Sequence, residues 1–263
     1  VFLTRVGLPT YEAKDLGLAA VKQERATFDR SITVTASEQN DYFRVVKKAI
    51  ELCMPALVGK IQHRSHGMMR FAEGKMSSRK GNIVTGESLI ADVKEVARER
   101  AKESRAADKD VLAEQVAVAA IKYQILKQAP GKDIVFDKER ALSLEGDSGP
   151  YIQYAHARAC AVVEKAKEAN LELSLTEEAV QTEVARLLIR LPGIAERSAR
   201  GLEPQLVANY VVQLAASFNS WYAEVHILDG TESAGGKVAL VDAVRATLKD
   251  ALWLLGIPTP KKM

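Results

Sequence analysis

The sequence predicts an α/β layer followed by an all-α region. Between Val1 and Ile90, short β-branched or apolar runs alternate with amphipathic helical spacing. Strand–helix–strand–helix order of this kind calls for parallel pairing with helices packed on the sheet. From Gly149 to Met263 nearly every stretch instead follows a helical apolar period. Between them, "ALSLEGDSGP" (Ala141–Pro150) gathers Gly, Ser, Asp and Pro, breaks the periodicity and reads as an inter-domain linker. The expected organisation is residues 1–90 as the α/β part, 91–148 as a helical connecting region and 149–263 as a helical domain.

Taken in order, "VFLTRVG" reads as a strand and a turn. "TYEAKDLGLAAVKQERATF" has helical spacing, with Leu16, Ala20 and Val21 on one side, opening after Pro9-Thr10. "SITVTAS" is a β-branched run and reads as a strand. A helix follows in "SEQNDYFRVVKKAIELC", with Ser37 as its N-cap and Phe43, Val46 and Ile50 as its apolar stripe. "ALVGKIQH" and "HGMMRF" read as short strands around a turn. "GESLIADVKEVARERAKES" and "DVLAEQVAVAAIKYQILKQ" are helices. Four more are expected beyond Gly149: "PYIQYAHARACAVVEKAKEA", "TEEAVQTEVARLLIRLPGIAERSAR", "EPQLVANYVVQLAASFNSWYAEV" and "GKVALVDAVRATLKDALWLLG". "LDGTESAGG" reads as a surface loop.

A chain of 263 residues can bury a full core, as one domain or two. No apolar run reaches the length of a membrane span, so a membrane partner is not expected. The two cysteines, Cys53 and Cys160, have no CxxC spacing, which argues against a zinc site or disulfide framework and fits a reducing cytoplasm. The four histidines form no HxxxH or Cys/His set, and no protein-held metal is expected. The net charge of +3 is uneven: residues 1–90 carry 14 Lys and Arg against 9 Asp and Glu. Lys60, Arg64, Arg70, Lys75, Arg79 and Lys80 face only one acid, Glu73, in that interval. Such an excess suits an anionic ligand such as nucleotide phosphate or RNA, and it suits a solvated basic face equally. The first residue is Val and the opening "VFLT" already reads as a strand, so the chain is expected to be the C-terminal portion of a longer protein.

The densest functional candidate is "GKMSSRKGN" (Gly74–Asn82). Gly74 and Gly81 bracket Lys75, Ser77, Ser78, Arg79 and Lys80, whose charges and hydroxyls could neutralise and bond a triphosphate. The segment is not a Walker loop, because no glycine precedes the lysine at the required distance. Tyr11 and Asp15 stand four apart and share one helical face. A phenol and a carboxylate make a receptor for the planar fork of a guanidinium; the same pair also reads as a packing Tyr beside a surface Asp. Gln39 follows a strand directly, where ligands of parallel sheets bind, or serves simply as a helix-start residue. In "HGMM" (His66, Gly67, Met68, Met69), Gly67 permits close approach and Met68 offers a polarizable face, and a core strand accounts for the same letters. In the helical part, Tyr151, Tyr154, His156, Arg158, Phe218, Trp221 and Tyr222 include base-stacking types, with Tyr154 and Trp221 equally readable as bundle core.

"KMSSR" at Lys75–Arg79 resembles the KMSKS signature of class I aminoacyl-tRNA synthetases, and the longer "GKMSSRKGN" is similar to the arginyl-tRNA synthetase family. "SGPYIQYAHAR" (Ser148–Arg158) looks like the start of that family's anticodon-binding domain, and "LLGIPTPKKM" like its C-terminal end. The resemblance covers essentially the whole chain. It implies the C-terminal half of a Rossmann-like catalytic domain joined to a helical anticodon-binding bundle. It implies arginine, ATP and tRNA(Arg) as substrates and partners, with Mg2+ arriving on ATP. It places Lys75, Ser77, Ser78 and Arg79 at the reacting phosphates and Tyr11, Asp15 and Gln39 at the arginine. It places His66, Gly67, Met68, Met69 and Lys75 at ATP, and Tyr151, Arg158, Tyr222 and Met263 at the tRNA. Ser78 departs from the signature, which has its second lysine there. A cytoplasmic monomer is expected.

The family's other signature, HIGH, is not found: "HILDG" at His226 and "HRSHG" at His63 both fail. The expectation is therefore a portion lacking the HIGH-containing half. The competing readings are a non-catalytic tRNA-binding module and another class I synthetase. The reaction implied is in-line attack of the arginine carboxylate on the α-phosphate, driven by positioning and charge stabilisation. With one side of the phosphate clamp absent from the sequence, the polypeptide alone should give no arginine-dependent ATP–pyrophosphate exchange; robust exchange would refute that expectation.

Overall fold

A computed structural model describes residues 1–72, 85–104, 106–174, 179 and 181–263. "GKMSSRKGN", with Lys75, Ser77, Ser78 and Arg79, lies outside the described residues. The chain divides into two compact units, Val1–Met69 with Pro130–Asp133, and Arg70–Ala129 with Ile134–Met263.

The first unit is built on two parallel strands, β1 (Ser31–Ala36) and β2 (Ile61–His66), in register from Ser31 opposite Ile61 to Ala36 opposite His66. Helices α1 (Tyr11–Arg25) and α2 (Asn40–Cys53) pack on each other, and Ala19, Val46, Ile50 and Leu57 form their core, with Leu16, Phe28 and Ile61 around it. Alternation along the strands follows the pleat: Ile32 and Val34 are exposed, while Ser31, Thr33 and Thr35 are half-buried.

Two expectations fail here. The opening "VFLTRVG" forms the expected turn but not the expected strand, making only an isolated antiparallel bridge between Leu3 and Pro9. Gly7 adopts a positive φ of 78° and donates its N–H to the Thr4 carbonyl, which turns the chain back before a ladder forms. Ser37 does not cap α2 either. Ser37–Gln39 forms a turn of 3₁₀ helix and Gln39 takes the cap position without a side-chain bond.

Among its described residues the second unit is helical, apart from the last two residues of β3 (Met69–Phe71) and β4 (Ile134–Phe136), with which β3 pairs. Phe71 and Phe136 meet edge to face at 5.9 Å. Sequence periodicity missed β4 because three residues are too few to show alternation. Helix α3 (Gly86–Arg100) is capped by Thr85, whose hydroxyl accepts from Ser88 N–H. Helix α4 (Lys109–Leu126), capped by Asp108, is buried on most sides through Leu112, Ala113, Val116, Ala117, Ala119, Ala120, Ile121 and Tyr123. After the short α5 (Lys138–Ala141) comes α6 (Gly149–Glu168), capped by Ser148, which accepts from Tyr151 N–H at 3.1 Å. Helices α7 (Glu183–Leu188), α8 (Leu191–Gly201), α9 (Gln205–Glu224) and α10 (Ala234–Leu254) complete the bundle.

The single helix expected over "TEEAVQTEVARLLIRLPGIAERSAR" is interrupted: within its described residues α7 and α8 are separate helices. Pro192 lacks an N–H and sits in the first turn of α8, so the ladder cannot continue from α7. The "LDGTESAGG" loop also ends early, because Ala234, Gly235 and Gly236 are the buried start of α10. A side chain on Gly235 would stand 2.5 Å from the Glu172 carbonyl oxygen.

The segment Ala141–Pro150 is packed into this unit. Ala141, Leu142, Ser148, Gly149 and Pro150 are buried. Tyr123 donates its hydroxyl to Asp147, and Lys127 bonds the other Asp147 oxygen at 2.9 Å. Burial alone would raise the Asp147 carboxyl, but the Tyr123 and Lys127 bonds outweigh it and hold it below the usual range. A side chain at Gly149 would come within 2.2 Å of the Ala119 carbonyl oxygen, so α6 approaches α4 through a glycine.

The chain end is strapped to α6. Gln153, fully buried, donates to the Pro258 carbonyl at 2.8 Å and the Gln115 carbonyl at 3.2 Å. His156, buried, lies 3.1 Å from the Pro260 carbonyl through Nδ1, which must therefore carry the proton. Burial holds the His156 pKa below its ordinary 6.5, aided by Arg245, Lys249 and Lys261 and opposed by the Pro260 bond.

Gly149→Ala should lower stability by about 1–3 kcal/mol, read as a lower urea midpoint with little change in slope. His156 gives a pH dependence of defined sign. Its folded pKa is depressed, so between the folded and unfolded values the unfolded chain binds more protons. Its contribution is whole above 6.5 and is lost as pH falls through the folded value. Urea midpoints measured from pH 7.5 down to 5 should fall, and His156→Gln, which keeps a donor but does not titrate, should flatten that fall.

Candidate functional site

The C-terminal ends of β1 and β2 bring several of the expected residues together. Gln39 leaves β1 through the 3₁₀ turn and is exposed. His66 ends β2 opposite Ala36, and Gly67, Met68 and Met69 follow it. Open parallel sheets place ligands at this edge.

The "HGMM" segment is fixed mainly by backbone. Gly67 is buried against Lys132 and Asp133, where a side chain would meet the Lys132 carbonyl oxygen at 2.0 Å. His66 donates from Nδ1 to the Gly67 carbonyl at 2.9 Å. Met68 N–H donates to Asp133 Oδ1 at 3.0 Å, and the Met68 side chain is exposed. The Met68 amide is thus already bonded, and side-chain surface is what this residue presents. Asp133 was not singled out in the sequence, because 65 positions separate it from its partner.

Tyr11 and Asp15 lie on α1 one turn apart. Tyr11 is 77% exposed, with Lys14 Nζ 5.3 Å from its ring centre. Asp15 is half-buried and accepts from the Tyr42 hydroxyl through Oδ2 at 2.6 Å. Tyr42 stands in the first turns of α2, just after the β1 end, so the bond draws the Asp15 carboxylate to the start of α2. Burial first, then the Asp15 bond and charge, raise the Tyr42 hydroxyl well above its ordinary pKa, so it remains a donor. Phe43 packs edge-on to Tyr42 at 5.1 Å and stacks on His63 at 4.3 Å. The Thr35 hydroxyl donates to the Ala36 carbonyl at 3.2 Å and so accepts from His63 Nε2–H at 2.8 Å, which assigns the tautomer. Burial lowers the His63 pKa and favours the neutral ring. A small cavity of about 100 Å³ opens here, bordered by Asp15, Lys22, Phe43, Lys47 and His63.

In the helical unit, Arg158 is half-buried between two rings. Its guanidinium carbon lies 4.8 Å from the Tyr154 ring centre and 4.7 Å from that of Tyr222, and Nη1 donates to Asn219 Oδ1 at 2.5 Å. Tyr154 is 37% exposed, which removes it from the bundle core, while Trp221 packs partly against that core. Tyr151 is half-buried and packs on the core. Met263 is half-exposed at the end of the strapped tail. Elsewhere in this unit, Arg186 pairs with Glu183 at 2.8 Å and Arg200 with Glu196 at 2.5 Å. Asn219 and Tyr42, like Asp133, were not legible in the sequence, because each makes a polar contact that only tertiary packing creates. Among the described residues, no group of three or more His, Cys, Asp or Glu is placed to hold a metal, and no helix is long and apolar enough to cross a membrane.

Residues 3–138 match the family model for the catalytic domain of class I (R) tRNA synthetases, and residues 152–263 match the DALR anticodon binding domain. An arginine–tRNA ligase of Lactococcus lactis subsp. cremoris (strain MG1363) is 33% identical over 262 residues, covering 98% of this chain and 46% of the relative. One from Borreliella afzelii (strain PKo) is 32% identical over 277 residues, covering 100% and 47%. The chain thus spans about half the length of the curated relatives it matches. The solved Thermus thermophilus arginyl-tRNA synthetase superposes with a TM-score of 0.87 at 28% identity, over 100% of this chain and 51% of that one. The Plasmodium falciparum arginyl-tRNA synthetase shares the fold at a TM-score of 0.80 and 22% identity. Parallel strands with packed helices, followed by a helical anticodon-binding region, agree with both, and the chain belongs to the class I (R) tRNA synthetase family.

Proposed function

We propose that this chain serves an arginine–tRNA ligase, which activates arginine with ATP and transfers it to tRNA(Arg). The observation that carries the reading is the Asp15 carboxylate of α1, one turn from Tyr11 and bonded by Tyr42 of α2, in a unit whose parallel strands end at Ala36 and His66, with Gln39 just beyond β1. A fixed carboxylate beside a phenol suits a guanidinium, whose donors form a rigid planar fork.

In this reading Asp15 and Tyr11 receive the arginine side chain, and Gln39 lies against the rest of the amino acid. His66, Gly67, Met68 and Met69 border ATP, with the Met68 side chain as the apolar face. Lys75, Ser77, Ser78 and Arg79 contact the phosphates; Lys75 is the chief contact, and Ser78 supplies a hydroxyl where the signature has a cation. Mg2+ enters with the ATP phosphates. The arginine carboxylate attacks the α-phosphate in line and pyrophosphate leaves, the protein supplying orientation and charge stabilisation. Tyr151, Arg158, Tyr222 and Met263 form the tRNA contact, within functional divisions at residues 90 and 148. A monomer acting in the cytoplasm completes the proposal.

L-arginine should raise the thermal midpoint of the chain, L-citrulline should not, and Asp15→Ala should abolish the arginine effect. Equal responses to both ligands would overturn the guanidinium assignment. Tyr222→Ala should weaken tRNA(Arg) binding by about tenfold in filter binding, as loss of a stacking platform does. Its salt slope should match the wild type, because no cation is lost. Unchanged affinity would remove Tyr222 from the tRNA surface.

A further inference from the structure

An aspartate on an exposed helix face ordinarily samples several staggered rotamers. A bidentate guanidinium contact instead needs the carboxylate plane held in one orientation. The first unit contains a device that does this, and Asp15 is its end point. The Tyr42 hydroxyl bonds Oδ2 at 2.6 Å, in the range of a charge-assisted bond. Tyr42 is itself held. Phe43 meets its ring at 83°, the Phe43 ring lies within 10° of parallel to His63, and His63 is anchored to Thr35 at 2.8 Å. The run of contacts therefore reaches from α1 through α2 to β2 and β1.

We infer that Tyr42 is a positioning residue for ligand recognition: its hydroxyl holds Oδ2 of Asp15 and sets the carboxylate for a guanidinium-bearing ligand. The ligand class rests on the reading of Asp15 under Proposed function; the positioning rests on the geometry of Tyr42 alone. Loss of the hydroxyl leaves the ring packed on Phe43, so the effect falls on Asp15 and not on the core.

Tyr42→Phe tests both parts. Three-bond couplings from the Asp15 backbone nitrogen and carbonyl to Cγ, measured by NMR, should show one rotamer in the wild type and averaged values in Y42F. Identical couplings in both proteins would overturn the positioning role. Titration with L-arginine, followed by chemical shifts, should give a dissociation constant about tenfold weaker for Y42F, as expected for one lost bond to a charged group. Asp15→Asn should keep the single-rotamer couplings and lose arginine binding, which separates charge from orientation. If the wild type shows no arginine-dependent shifts, the guanidinium assignment fails, while the couplings still decide whether Tyr42 positions Asp15.

Discussion

The helical unit depends on one close approach. Helix α6 can lie on α4 as it does because residue 149 has no side chain to drive into the Ala119 carbonyl. The alanines of α4, at 113, 117, 119 and 120, extend the same logic, since small residues let backbones come near. That crossing sets the start of α6, and the start of α6 sets much else. Ser148 caps it, Asp147 is clamped by Tyr123 and Lys127, and Gln153 and His156 lie where they can bond the returning chain end. A glycine and a row of alanines thus position a buried polar strap, in which the Gln153 Nε2 and His156 Nδ1 donors find backbone carbonyls.

The same helix presents Tyr154 and Arg158 outward, where Tyr222 and Asn219 of α9 meet them. The guanidinium lies within cation–π distance of both rings, and its bond to Asn219 adds direction. In the first unit, order comes instead from a chain of aromatic and hydrogen-bonded groups, Asp15–Tyr42–Phe43–His63–Thr35, on a small apolar core. A neutral His63 and a neutral Tyr42 suit such a chain, because neither adds a buried charge beside Asp15.

Long elements were legible in the residues because periodicity accumulates with length. The α1, α2, α3, α4, α6, α9 and α10 segments and β1 carry enough turns or alternations to be read. Short or interrupted elements were not. The three residues of β4 show no period, the opening reversal is imposed by Gly7, and Pro192 divides one helical pattern into two helices. The site shows the same division. Tyr11 and Asp15 were visible as a pair because helical spacing links them. Tyr42, Asp133 and Asn219 were invisible because their partners lie 27, 65 and 61 residues away.

By itself the sequence determined the order of α/β and helical parts, the identity of most long helices, and the family, through local motifs such as "GKMSSRKGN" and "SGPYIQYAHAR". These are properties of neighbouring residues, and chain order preserves them. Only the tertiary structure decided which hydroxyl orients Asp15, which carbonyls bind Gln153 and His156, and which rings enclose Arg158. Each is a contact between residues distant in sequence, and its formation depends on how closely two backbones can approach. Gly67 against Lys132 and Gly149 against Ala119 show two such approaches, which a side chain at either position would prevent, a constraint with meaning only once the chain has folded.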